Sequence, residues 1–190
     1  MKKRVTGIIL LIAAIAAASI IAFALGIDPP ASNIMGAFAA VVFLVIAARI
    51  IKVSDGIFFS ALVFIFLASP MGSILNLYRS FGPYDKFVHF ISGILLAVFG
   101  MTVIQRLMKK CITAELYPFM VPMIFFACMF SSGAAGIWEI FEFVTDRLAG
   151  GGMQRGMVDT VTDMIAGNTG ALVYGIWAYF HYIKAKKKLH

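Results

Sequence analysis

The sequence predicts an all-α, polytopic membrane protein with about six transmembrane helices. Of its 190 residues, 62% are hydrophobic and only 13% are charged, whereas soluble domains are about half apolar and a quarter charged. The apolar residues form six segments, each near the ~20 residues needed to cross ~30 Å of hydrocarbon. These segments cover residues 7–25, 34–51, 57–77, 87–107, 116–138 (continuing to about 147) and 161–183.

The connections between these segments are short and contain helix breakers, so we expect a single membrane domain over 1–190. Breakers occur at Asp28-Pro29-Pro30, Gly82-Pro83 and Gly150-Gly151-Gly152. The first segment follows a basic N-terminus and ends near Ala22-Phe23-Ala24, as a cleavable signal peptide does. Its length is sufficient for a span, and that interpretation is preferred.

The distribution of basic residues predicts the orientation of the helices. Twelve of the 16 Lys and Arg residues lie at the two termini or in the connections after segments 2 and 4. By the positive-inside rule, both termini are then cytoplasmic. The net charge of +7 therefore reports topology and attraction to anionic lipid, and it does not indicate nucleic-acid binding. Cys111 and Cys128 fit neither a metal motif nor a disulfide framework.

Acidic residues collect at the predicted outer ends of segments 4, 5 and 6. Of the nine Asp and Glu residues, six lie there: Asp85, Glu139, Glu142, Asp146, Asp159 and Asp163. His89 follows Asp85 by one turn, and Asn168 lies deeper in segment 6. At 1.5 Å per residue, His89 and Asp163 each lie about 6 Å inside their helix-entry acids. The sequence thus predicts a polar pocket between helices 4–6 near the outer face, where lipid phosphates lie.

Each of these side chains has a predicted role. Glu139, Glu142 and Asp163, with the amide of Asn168, are candidate ligands of a divalent cation, because ionised groups at membrane depth are costly and repel one another. Such oxygen ligands favour Ca²⁺, Mg²⁺ or Mn²⁺ over Zn²⁺. The candidate catalytic residues are His89, which Asp85 orients, and Asp159. The candidate ligand for phosphate is Arg155.

Ordinary structural roles compete with these assignments. Asp85 and Asp159 begin helices, where acids are favoured by about 0.3–1 kcal/mol through capping and the helix dipole. Arg155 is four residues before Asp159 and could pair with it. Asp146 is expected to be solvated outside the membrane.

Three stretches together resemble the YjdF-like family of bacterial membrane proteins and, more distantly, VanZ-type proteins. They are Tyr84-Asp85-Lys86-Phe87-Val88-His89-Phe90, Trp138-Glu139-Ile140-Phe141-Glu142, and Arg155 followed by Asp159, Asp163, Asn168 and Gly170. The resemblance covers residues 84–175, whereas 1–80 carry little motif content. It implies a multi-pass protein of the bacterial cytoplasmic membrane. The Glu-x-x-Glu pattern is also similar to lipid-headgroup enzymes, although VanZ-type proteins have Gln where Glu142 stands.

These observations favour an enzyme that acts on a phospholipid headgroup or lipid-linked phosphate at the extracytoplasmic face, by transfer or hydrolysis. Membrane lipids are the expected partners. Two other classes stay open at this point. An ion-coupled transporter would use the acids and His89 as a relay, and a non-catalytic membrane or resistance protein would use them only to hold helices together.

Overall fold

Helices make up most of the residues that the protein's computed structural model describes, 2–111, 117–149 and 153–186. About 90% of the chain is helix, and these residues contain no strand, which confirms the predicted all-α fold. A 3₁₀ turn, Tyr117–Phe119, precedes α6. The helices are α1 (Lys2–Ala24), α2 (Ala31–Ile51), α3 (Asp55–Phe66, continued as a π-helix over Leu67–Ile74), α4 (Leu77–Ser80), α5 (Pro83–Cys111), α6 (Met120–Ala149) and α7 (Met157–Lys186).

Five stretches of the described chain are long and apolar enough to cross a membrane, so the multi-pass architecture is confirmed. They are Lys2–Ala24, Ala31–Ile51, Asp55–Ile74, Pro83–Lys109 and Met120–Leu148. Each contains the roughly 20 residues that a membrane-spanning helix needs.

Helix α7 contains the sixth predicted segment, 161–183, and is not among those five. Its 30 residues extend for about 45 Å, but polar residues near its start lower its hydropathy. Apolar side chains nevertheless dominate its exposed surface, for example Leu172, Ile176 and Phe180. The sixth span and the cytoplasmic placement of both termini stay predictions.

The chain divides into two compact units, Met1–Val88 and His89–His190, and the boundary falls inside α5. The prediction of a single domain is therefore still a prediction. In the first unit α1, α2 and α3 pack against one another. Arg4 fastens the connection before α3, because it donates from Nε to Asp55 Oδ1 at 2.6 Å and from its terminal nitrogen to the Val53 carbonyl at 2.8 Å.

The π-helix after α3 has an identifiable cause in Pro70, which has no backbone N–H to donate. The Leu75 N–H donates five residues back, to the Pro70 carbonyl at 3.0 Å. The hydroxyl of Tyr84, on the first turn of α5, donates to the Leu67 carbonyl at 2.8 Å. A side chain thus binds a carbonyl of the irregular segment, as a membrane-embedded backbone requires.

In the second unit α5, α6 and α7 pack side by side. Helices α6 and α7 are antiparallel. A methyl group at Gly136 of α6 would lie near Met164 of α7, whereas one at Gly175, later in α7, would lie near Cys128, earlier in α6. Helices α5 and α7 run parallel. The shared core is formed by Ala97, Met101, Met123, Ile124, Ala127, Ala171, Tyr174 and Ala178.

Candidate functional site

His89 lies beside a buried carboxylate of a different helix. Its Nε2 is 3.8 Å from Oδ1 of Asp163, and the side chains are only 12% and 3% exposed. Both residues lie one and a half to two turns after their helix starts, Pro83 for α5 and Met157 for α7. A carboxylate beside an imidazole orients the ring. The sequence predicted this layer from helix offsets alone, and the structure brings these two residues together.

Asp85 lies one turn before His89 on the same helix. It is in the first turn of α5, behind Pro83 at the first helical position, where both residue types are favoured. Its carboxylate is buried, and Oδ2 is 3.6 Å from Nζ of Lys86. Residues four apart share a helix face, so Asp85 and His89 lie on one face of α5.

The spacing of these groups is compatible with a shared cation. Two ligands on opposite sides of an ion at about 2.1 Å are about 4.2 Å apart, and the His89–Asp163 separation is 3.8 Å. The same separation exceeds the ~2.7–3.2 Å of a direct hydrogen bond. Imidazole with carboxylates is a ligand set found for Zn²⁺, Mn²⁺ and iron, whereas carboxylates alone suit Mg²⁺ and Ca²⁺. His89 therefore joins Asp163 as a candidate metal ligand.

The backbones of α5 and α7 are in direct contact one turn after His89. A methyl group added to Gly93 would overlap the carbonyl of Gly167, and one added to Gly170 would overlap the carbonyl of Phe90. Ser131 of α6 donates to the Gly93 carbonyl at 2.8 Å and is itself buried. Small residues permit this approach, as in other membrane helix pairs. The depth and separation of the polar groups are therefore fixed by backbone packing.

Glu139 is the acid of α6 that points into the second unit. It is 5% exposed. The antiparallel contacts of α6 and α7 run from Cys128 near Gly175 to Gly136 near Met164, so Glu139, three residues further along α6, is level with Asp163. Its carboxylate is nevertheless outside the set of ligand atoms that lie within 4.8 Å of one another around His89.

Glu142 lies three residues after Glu139 in a different environment. Its Oε1 accepts a hydrogen bond of 2.8 Å from the indole nitrogen of Trp138, which is half exposed. This i,i+4 contact directs the carboxylate along the surface of α6. Glu142 is therefore bound to Trp138 of its own helix, whereas Glu139 is buried.

Arg155 and Asp159 form an ion pair one turn apart. Nε of Arg155 donates to Oδ2 of Asp159 at 3.1 Å, and both side chains are partly buried. The pairing is the structural alternative that the spacing suggested. It places the guanidinium at the start of α7, one turn before Asp163, where it remains a candidate ligand for phosphate.

Asp146 shapes the connection between α6 and α7, which corrects the expectation that it is merely solvated. Its two carboxylate oxygens accept the backbone N–H groups of Met153 and Gln154 at 2.8 and 2.7 Å. The Gln154 amide in turn donates to the Thr160 hydroxyl at 2.9 Å. The Gly150–Gly152 run, predicted as a turn or hinge, lies outside the described residues. Asp146 thus holds the chain that leads to Arg155.

Replacing Asp146 with alanine is expected to loosen that connection. Hydrogen bonds to a charged acceptor contribute about 1.5–3 kcal/mol, so local opening should become at least about tenfold more frequent. Hydrogen–deuterium exchange of the peptide over 153–156 measures this directly. Asp28→Ala, at an exposed loop position, is the matched control and should leave exchange there unchanged. Equal exchange in both variants would refute the role of Asp146.

Asn168 lies beside the buried face of α7. That face carries Asp163, Gly167 and Gly170, whereas Asn168 is half-buried and one residue away from it. Sequence reasoning missed Gly93, which contributes no polar group. The available signal was its position one turn after His89, on the same helix face.

These features define a class, namely multi-pass helical membrane proteins with a buried His–carboxylate cluster near one end of the helices. The chain belongs to the DUF2238 family, described as "Predicted membrane protein", whose model matches residues 5–184. It is 36% identical over 102 residues to a Thermotoga maritima protein named "Uncharacterized protein". That alignment covers 53% of this chain and about half the length of the relative. No solved structure matches.

Proposed function

We propose that the protein is a membrane enzyme acting on a phospholipid headgroup or lipid-linked phosphate at the extracytoplasmic face. The observation that carries the proposal is the pair of His89 and the buried carboxylate of Asp163, 3.8 Å apart near the starts of two helices. Ionisable groups at membrane depth cost free energy, so their presence there indicates a function. A relation to YjdF-like and VanZ-type proteins, and a place in the bacterial cytoplasmic membrane, belong to the same proposal.

His89 is the group suited to move a proton during headgroup transfer or hydrolysis. Imidazole is the side chain most often used as a general acid or base, and a carboxylate beside it orients the ring. In hydrolysis it would accept a proton from the attacking water and return one to the leaving oxygen. Arg155 would lie against the phosphate, with Asp159 holding the guanidinium at 3.1 Å.

A divalent cation fits the same cluster as a resident cofactor. Asp163 and His89 would hold it, because their ligand atoms, 3.8 Å apart, are close enough for one ion. Glu139, buried at the same level, would add negative charge nearby. The cation would supply electrostatic stabilisation of phosphate oxygens. Mn²⁺ is the metal that best accommodates both an imidazole and carboxylates here, with Mg²⁺ and Ca²⁺ next.

Metal binding gives a direct prediction. The purified protein, titrated with Mn²⁺, is expected to bind it, and Asp163→Asn to weaken binding more than about 100-fold, since loss of an outer-shell partner alone costs about 10–100-fold. Electron paramagnetic resonance of free Mn²⁺ measures the binding. Asp55→Asn, whose carboxylate pairs with Arg4 in the first unit, should bind as the unaltered protein does. Equal binding by all three proteins, or by none, would contradict the metal site.

Turnover can be tested without knowing the substrate in advance. The protein is reconstituted into vesicles of phosphatidylethanolamine and phosphatidylglycerol, with and without undecaprenyl phosphate, in the presence of Mg²⁺, Mn²⁺ or Ca²⁺. The sample is then dissolved in detergent and its metal ions are removed on a chelating resin, because paramagnetic Mn²⁺ broadens phosphorus signals. Phosphorus NMR then measures each phosphate. Protein-dependent appearance of a new phosphate signal supports the proposal. Unchanged spectra for all lipids and cations, from protein that remains folded, would contradict it.

A further inference from the structure

An apolar groove lies between α5 and α7, further along the helices than the His89 cluster. Its volume is about 280 Å³, and its lining contains no exposed polar surface. The walls are Ile94 and Val98 of α5 and Val173, Tyr174 and Trp177 of α7. All of these residues belong to the second unit. The groove is open on one side, and Val173 and Trp177 are about half exposed.

The groove starts close to where the polar cluster ends. Ile94 is five residues after His89, which corresponds to about 7.5 Å along α5. Trp177 is fourteen residues after Asp163, or about 21 Å along α7. Because α5 and α7 run parallel, both displacements lead the same way, toward the hydrocarbon core. The same pair of helices thus presents polar groups first and an apolar channel next, the order in which a lipid presents its headgroup and its chain.

We infer that this groove binds one hydrocarbon chain of the lipid whose headgroup lies at His89, an inference that rests on the proposed function. A chain fits the groove, whereas a helix of a second copy, about 10–12 Å across with its side chains, does not. The aromatic rings of Tyr174 and Trp177, whose centroids are 6.0 Å apart, form one rigid wall. Arg155, the candidate ligand for phosphate just before α7, favours a lipid with a negatively charged phosphate. Phosphatidylglycerol is therefore the appropriate probe.

Photolabelling tests this assignment. The full chain is placed in phosphatidylcholine vesicles that contain a small fraction of phosphatidylglycerol with a diazirine at the end of one acyl chain. After illumination, labelled peptides are mapped by mass spectrometry. Labels should concentrate on the peptides that contain Ile94–Val98 and Val173–Trp177. Val173→Trp fills the groove and should reduce labelling of these peptides about tenfold, which corresponds to about 1.4 kcal/mol.

The control is Leu172→Trp, which adds a tryptophan at an exposed position on the same helix, away from the groove lining. It should leave labelling unchanged.

Trp177→Ala is a second test, which keeps the inference falsifiable if Val173→Trp does not fold. It removes one wall of the groove without adding volume, and it should also reduce labelling. Label spread evenly over the lipid-facing helices, or an unaltered pattern in both groove variants, would overturn the inference.

The result is separable from the proposed catalysis. Groove-specific labelling by a protein that turns over no lipid phosphate would contradict the enzyme and support the chain-binding groove. Turnover accompanied by even labelling would contradict the groove and leave the enzyme intact.

Discussion

Replacing Gly93 with alanine is expected to destabilise the second unit severely. The added methyl group would occupy the position of the Gly167 carbonyl, and neither helix backbone can move without separating α5 from α7. Overpacking against side chains costs about 1–3 kcal/mol and more when nothing can yield. A loss of about 3 kcal/mol would lower the melting temperature by about 10 °C. Thermal unfolding in detergent, followed by size-exclusion chromatography, measures the shift.

Two other glycines supply matched controls. A methyl group at Gly167 would lie in ordinary contact, 3.5 Å from the Ala135 methyl and 3.6 Å from the His89 carbonyl, so Gly167→Ala should be mild. Nothing lies within 4 Å of a methyl group at Gly133 of α6, where alanine should be neutral or gain up to about 1 kcal/mol of helix propensity. If all three variants melted together, the close backbone contact would be refuted.

The second large effect is expected from His89→Gln. Glutamine retains hydrogen-bonding capacity and a similar length but cannot exchange a proton near neutral pH. Loss of a general acid or base costs about 10²–10⁴-fold in rate, so turnover of lipid phosphate in the phosphorus NMR assay should fall by that factor. The fold should survive, because Gly93 and the shared core of α5, α6 and α7 are unchanged.

His181→Gln is the corresponding control. His181 lies on α7, where its ring stacks on Trp177 with centroids 5.2 Å apart, and we assign it no role in proton transfer. Its loss should leave the rate within about twofold, an effect of less than about 0.5 kcal/mol. Equal rates for both histidine variants would remove His89 from the catalytic proposal. A drop in His89→Gln that paralleled a loss of folded protein would instead indicate a purely structural role.

Residues whose position depends on one helix alone were predictable from the sequence. The length of an apolar segment shows where the chain crosses the membrane. Such a segment must be a helix, because its backbone polar groups have to be hydrogen-bonded within the segment itself. The helical rise placed His89 and Asp163 at matching depths, since each lies one turn after a helix-entry acid, Asp85 or Asp159. The structure brings these two side chains together.

Rotation about the helix axis is what the sequence could not determine. Glu139 and Glu142 are three residues apart and look equivalent along the chain, yet one is buried and the other is bonded to Trp138. In a membrane, both faces of a helix are apolar, so hydrophobic periodicity does not indicate which face meets protein. Gly93 was missed for a related reason, since the residue that decides the rotation of α5 is the one without a side chain.

The hydrogen bond from Tyr84 to the Leu67 carbonyl has a consequence for biogenesis. During synthesis, the π-helical segment leaves the ribosome before the tyrosine that binds its carbonyl. The segment would thus enter the bilayer without this hydrogen bond, which contributes about 0.5–1.5 kcal/mol. The first unit therefore completes its assembly only once α5 has begun to insert. A nascent chain that stops before residue 84 should be retained by insertion machinery or degraded.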